Sequence, residues 1–234
     1  MGRVILSGAS KGMTVPSLYK ANFADNNWAH IIDACHKNKV PATWAVGNQK
    51  TMTINGTEYQ IDIIGKGHDD YADGSGKAPL TFQLHDCYGE LKAMNSTNTN
   101  DGGWMRCAMR QTHLPAILSQ MPTEVQNGIR EVNKLTSAGS QSVFINTTAD
   151  KLFLLSEIEI FGSVTYSESG EGTQYDYYKA GNSKVKKFFG NAYNWWERSP
   201  YDSDSTSFCF VNSNGTATCN NAGDARGVPF AFCF

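Results

Sequence analysis

The sequence predicts a single α+β domain, and three observations carry that reading. One amphipathic helix is followed by several stretches of alternating strand pattern. No internal repeat and no Pro-rich or Ser-rich linker divides the chain. Apolar residues run to the last position, in Gly227-Val228-Pro229-Phe230-Ala231-Phe232-Cys233-Phe234, where a free terminus would be polar. With 234 residues, 40% of them hydrophobic, the chain can bury one sizeable core.

Taken in order, residues 1–24 read as an N-terminal docking arm punctuated by Gly2, Gly8, Gly12 and Pro16, with Val4-Ile5-Leu6 as a short strand. The domain proper spans 25–234. Trp28, Ile31, Ile32 and Cys35 at i, i+3, i+4 and i+7 predict a helix capped by Asp25 or Asn26 and ended by Pro41. Met52 and Ile54, the Asn55-Gly56 turn and then Tyr59, Ile61 and Ile63 predict a hairpin. Leu80, Phe82 and Leu84 predict a further strand, and Pro122–Val132 a helix with Val125, Ile129 and Val132 on one side. Leu152–Leu155 reads as a short buried strand, and Ser156-Glu157-Ile158-Glu159 has the spacing of a capping box. From Ser163 to Tyr193 the chain reads as long loops.

A net charge of −2 supplies no basic footprint for nucleic acid. Lys184-Val185-Lys186-Lys187 reads as a solvated face. No apolar run reaches the length of a membrane span, and Val4-Ile5-Leu6 is short of a signal-peptide core. The expectation is therefore synthesis in the cytoplasm without membrane insertion. With charged residues at 18%, the surface must be built largely from Asn, Ser, Thr, Gly and Tyr, the palette of adaptable recognition surfaces. The six cysteines include no CxxC pair, and Cys35, Cys209 and Cys233 sit in apolar runs where a thiol packs as a small hydrophobe.

Three groupings carry candidate chemistry. Asp69, Asp70 and Asp73 lie in a glycine-punctuated run and could offer oxygens to calcium, although Asp and Gly are also ordinary turn residues. His68, His113 and the His85-Asp86-Cys87 run supply the residue types of a Cys-His-Asp site, with nothing to hold them together. The third is the C-terminal segment. Adjacent residues of a strand face opposite ways, so one of Trp195 and Trp196 is core and the other lies on the outer face or under a loop. Arg198 beside Glu197 reads as an ion pair or a hydrogen-bond hub. Trp195, Trp196, Arg198, Phe208, Phe210 and Phe232 form the predicted frame. The predicted ligand-binding loops carry Tyr201, Asp202, Asp204, Asn212, Asn214, Asn220, Asn221, Asp224 and Arg226.

A series of motifs resembles an uncharacterised domain family of clostridial-type bacteria and their phages. It comprises Trp44-Ala45-Val46-Gly47, His68-Asp69, Met94-Asn95, Gly102-Gly103-Trp104 with Met109-Arg110, Leu152-Phe153-Leu154-Leu155-Ser156-Glu157, Glu171-Gly172-Thr173-Gln174-Tyr175, Trp195-Trp196-Glu197-Arg198-Ser199-Pro200 and the closing Gly227–Phe234. The order and spacing are similar across nearly the whole chain after the arm. That family usually has Leu where this chain has Glu197. The C-terminal layout is also similar to the C-type-lectin-like fold of phage adhesins and formylglycine-generating enzymes. The Glu-Pro-Asn and Gln-Pro-Asp sugar–calcium tripeptides are absent. The resemblance implies a C-type-lectin-like core with mixed or antiparallel sheets, flanking helices and long loops.

It also implies a non-enzymatic, multimeric virion protein of the tail, baseplate or capsid exterior. Such a protein would bind a host-surface or mucosal glycan or protein, with the arm against other virion proteins. Two alternatives stand beside it: a structural decoration or collar protein, and a metal- or cysteine-dependent enzyme using Cys209 and Cys219.

Overall fold

The computed structural model describes residues 18–234, so most of the predicted arm, including Val4-Ile5-Leu6, lies outside the described residues. A 3₁₀ turn at Phe23–Asp25 leads into α1, Trp28–His36. The cap of α1 is Asn27, whose side chain accepts from His30 N–H at 2.7 Å, and not Asp25 or Asn26. Asn26 is instead buried, its amide donating to the carbonyls of Lys20, Asn22 and Phe23.

The hairpin forms as the pattern predicts, with β1 (Gln49–Ile54) antiparallel to β2 (Thr57–Gly65). Asn55 and Gly56 both have positive φ, 47° and 77°, which the type I′ turn needs to match strand twist. Next come β3 (Thr81–Leu84) and α2 (Gly103–Arg106), then a π turn at Met109–His113, α3 (Leu114–Leu118) and α4 (Thr123–Gly128). The predicted helix at Pro122–Val132 stops early, because residue 129 turns extended and Val132 opens β4 (Val132–Ser137). Gly128 is where α4 meets α1; a Cβ there would stand 2.8 Å from Ile32.

β4 pairs with β5 (Ile145–Asp150), and β6 (Leu152–Phe153) follows. In α5 (Glu157–Phe161) both halves of the Ser156/Glu159 capping box are made. The stretch read as loops contains α6 (Asp176–Lys179) and a hairpin of β7 (Lys186–Phe188) and β8 (Asn191–Tyr193). The chain closes with β9 (Trp195–Pro200), β10 (Ser207–Val211), β11 (Ala217–Asn221) and β12 (Ala231–Cys233).

β12 explains the apolar terminus. It is threaded between β3 and β6 in a five-stranded antiparallel sheet of order β1-β2-β3-β12-β6, so the chain's last strand is buried on both sides. On one face of that sheet Phe82, Phe232 and Phe234 pack with centroids 5.3–5.4 Å apart, and Phe23 and Trp28 join them. The other face is polar: Asp62, Thr81 and Gln83 are all buried there. α6 and its flanking Tyr175 cover this face, with Tyr178 Oη donating to Gln83 Oε1 at 2.7 Å. This cover is why every residue of β3 is buried although its pattern alternates.

The second sheet, β11-β10-β9, is tied to β4, to α5 and to the segment that follows β6 by the buried guanidinium of Arg198. Arg198 is a hub, as predicted, but its ionic partner is Glu159 on α5 and not its neighbour Glu197. It also donates to Leu154 O, Leu135 O, Glu171 O and Thr136 Oγ1. Trp195 and Trp196 are both fully buried, so of the two places open to the second tryptophan, the outer face or under a loop, the covered one applies. Trp195 Nε1 donates to Lys184 O and Trp196 Nε1 to Lys92 O, so each indole has a partner on its own side of the strand. Phe208, Phe210 and Phe232 complete the frame. The result is a mixed α+β single domain of antiparallel sheets and short helices with one continuous core.

Candidate functional site

The predicted loop residues do not gather into one surface. Asn212 and Asn214 build the β10–β11 turn, where Asn214 Oδ1 accepts from both Thr216 N–H and Thr216 Oγ1. Tyr201, Asp202, Asp204, Asn220 and Asn221 lie at the opposite end of these strands, roughly 14 Å away along β10. Asp204 braces its own loop. Burial opposes its charge, but hydrogen bonds from Thr206 and Ser207 prevail and hold its carboxyl below the usual range. Arg226 belongs to the frame: it is 8% exposed and lies 3.8 Å from the Phe210 ring centroid, with Asp224 at 3.3 Å.

The predicted calcium acids are likewise drawn apart, each to a different cation. Asp70 pairs with Lys77 at 3.0 Å and Asp73 with Arg130 at 2.6 Å. Asp69 is buried beneath a pocket of about 320 Å³. The metal-ligating types that do gather there are His68, Asp69 and Glu159, with ligand atoms within 4.8 Å of one another. The Lys134 ammonium already holds the cationic position, 2.7 Å from both Asp69 and Glu159, and it donates to Tyr175 Oη at 3.1 Å. All three ammonium protons are thereby engaged. Burial opposes charge on Asp69, but Lys134 and His68 outweigh it and hold the carboxyl at about 2. Glu159 is lowered in the same way by Arg198 and Lys134. Two acids and two bases thus form a balanced ionic core in which every charge is paired.

The residues of the Cys-His-Asp reading sit in three different surroundings. His68 stacks on Tyr175 at 3.9 Å, and His113 ends the π turn. His85 takes Asp62, not Asp86, as its partner. Cys87 Sγ faces Gly227, where an added Cβ would stand 2.3 Å away. Burial pushes the thiols of Cys35, Cys87 and Cys107 up to about 12, the opposite of an activated nucleophile.

A cleft of about 250 Å³ joins the His85-Asp86-Cys87 run to Tyr59, Gln60, Lys187, Phe188 and Phe189, residues that carry no common signal in the sequence. One wall is β2 at Tyr59 and Gln60, the floor is His85, and the far wall is the β7–β8 tip at Lys187, Phe188 and Phe189. Phe189 and Gly190 make the two-residue turn, with φ of 47° and 82°. A bulky aromatic in the left-handed region is strained, and Phe189 is also 79% exposed. Its neighbour Phe188 supports it at 4.5 Å and is itself backed by Tyr193 at 5.4 Å. Opposite, Tyr59 is stacked on Tyr88 and fixed by a hydrogen bond from Gly89 N–H to its hydroxyl at 3.0 Å.

The floor is equally ordered. Asp62 accepts from His85 Nδ1 at 2.8 Å and from Gln49 Nε2 at 2.7 Å, so His85 carries its second ring nitrogen as the free polar group. The bond to Asp62 raises the His85 pKa above its ordinary value. The β7–β8 hairpin is held to this floor by Lys187 N–H donating to Asp86 and by the buried Lys186 ammonium donating to Leu84 O and His85 O. The sequence does contain a signal for this wall. Phe188-Phe189-Gly190-Asn191 has a two-residue turn ending in Gly between short runs.

The cleft sets the exposed ring of Phe189 beside the polar side chains of Gln60 and His85 on an antiparallel frame. The chain belongs to the family described as a domain of unknown function, DUF6273, whose model matches residues 79–234. No curated protein and no solved structure matches the chain. The matched span includes the floor and far wall of the cleft, while Tyr59 and Gln60 precede it.

Proposed function

We propose that this protein is a non-enzymatic recognition module that binds a saccharide in the Tyr59–His85–Phe189 cleft. The observation that carries the reading is Phe189, an exposed aromatic ring held in a strained turn beside a walled polar floor. Its ring offers a face to the C–H side of a pyranose, which aromatic stacking favours. Gln60 and His85 offer hydrogen bonds to hydroxyls, and Lys187 and Asp86 stand at the rim. The setting proposed is the exterior of a phage virion, where many copies would turn weak single contacts into avid attachment. That setting, and the likeness to C-type-lectin-like adhesins, are supported by the motif resemblance across the chain.

The test is a glycan array probed with the full chain and with Phe189→Ala. Saccharide binding that the variant loses supports the reading. Absence of binding to the array and to cell-wall polysaccharide of a Gram-positive host, with retained binding to other virion proteins, would replace it with a decoration role.

A further inference from the structure

We infer that Cys209 and Cys219 close into a reversible cross-strand disulfide, a redox latch that fastens the outer strand β11 to β10. Both are free thiols in this structure and stand directly opposite each other in the β10–β11 register. The hydrogen-bond ladder decides whether that placement suits a disulfide. Ala222 N–H donates to Thr206 O and Asn212 N–H to Thr216 O, so the bonded pairs fall on the even residues of β10. Cys209–Cys219 therefore occupies a non-bonded slot, where facing Cα atoms lie about 4.5 Å apart and side chains approach closely. That separation is within the span a disulfide bridges. Among the described residues, no other two cysteines face each other across a strand pair.

The latch has something to hold. Among the described residues β11 is an edge strand, paired only with β10, and its residues are partly exposed where those of β10 are buried. Polar loops leave both of its ends. A covalent tie at its centre would limit opening of the edge and stiffen both loops.

Oxidised glutathione serves as the oxidant. Cys219, the half-exposed partner, loses its proton and attacks one glutathione sulfur, breaking that S–S bond and releasing one glutathione thiolate, which takes up a proton. Cys209 then gives up its proton and attacks Cys219 Sγ, releasing the second glutathione. Two protein thiols are oxidised and one glutathione disulfide is reduced to two thiols. Cys209 is fully buried and Cys219 partly exposed, so glutathione reaches Cys219 first and Cys209 resolves the mixed disulfide; burial raises the pKa of both thiols, so both steps quicken as pH rises.

The experiment incubates the full chain with oxidised glutathione and then titrates free thiols in denaturant. The expected count falls from six to four, with one peptide pair joining Cys209 to Cys219 and a thermal midpoint raised by about 5 °C. Cys219→Ser, at a partly exposed position that leaves the core intact, should keep its remaining thiols and show no rise. Six surviving thiols in the wild type, a stable glutathione adduct on Cys219, or the same loss in Cys219→Ser would overturn the latch.

Discussion

Glu197 and Arg198 are neighbours on β9, both fully buried, and they have opposite fates. Arg198 meets Glu159 and four other groups on its face of the strand, while neither carboxyl oxygen of Glu197 has a hydrogen-bond partner among the described residues. Alternation along the strand is the cause, since a residue one position away points to the other side. Burial then drives the Glu197 pKa well above its ordinary value, so the group is carried as a neutral acid. Glu197→Leu should stabilise the fold by about 2 kcal/mol, because it removes an unpaired buried polar group. Urea denaturation of both proteins measures this; a destabilised Leu variant would refute the packing account.

Stability should fall as pH rises from about 5 to 8. Glu171 is raised by burial from 4.5 to about 7, and burial also raises Glu197 well above its ordinary value. A carboxyl whose folded pKa exceeds its unfolded one binds an extra proton when folded, so its contribution is present below about 4.5 and lost as pH climbs through the folded value. His85, raised by Asp62, has the same sign at higher pH; His68 and His113, lowered by burial, have the opposite sign below about 6.5 and offset part of the decline there. Asp69 and Glu159 are lowered, so their contribution disappears in acid instead. Thermal midpoints measured across this range should peak near pH 5, and Glu171→Gln should flatten the decline.

Lys134→Met should cost about 3–5 kcal/mol, since it leaves Asp69 and Glu159 facing each other in the core without their shared ammonium. In the wild type, added calcium should leave the thermal midpoint unchanged, because Lys134 occupies the cationic position. A calcium-dependent rise would revive the acidic-run reading.

Phe189→Gly should be neutral or stabilising by up to about 1 kcal/mol, because glycine accepts the φ of 47° without strain. A clear loss of stability by denaturation would mean that Phe189 supports the fold and is not held there for contact.

The sequence made the frame legible wherever one local rule sufficed. The Asn55-Gly56 hairpin, the Ser156/Glu159 box and the aromatic terminal strand all follow from spacing and composition. Positions decided by tertiary cover were not legible. Thr81 and Gln83 alternate like a half-exposed strand, yet α6 buries them; parity separates Trp195 from Trp196 without saying which is covered or by what, and Arg226 lies over the Trp196 ring. The candidate site was less readable still. Tyr59 and Asp62 share β2 and His85 follows its partner β3, whereas Phe189 reaches them only through the β7–β8 hairpin, which lies in a stretch read as loop. The loop acids and amides drew attention by composition, but their side chains largely build their own turns.

Calorimetric titration of the best array saccharide into wild type, Phe189→Ala and the Asn212→Ala/Asn214→Ala/Asp224→Ala variant tests the central claim most directly. Loss of at least about tenfold in affinity, or about 1.4 kcal/mol, is expected for Phe189→Ala, with the loop variant close to wild type. Unchanged affinity in Phe189→Ala together with loss in the loop variant would contradict the cleft and return recognition to the loops.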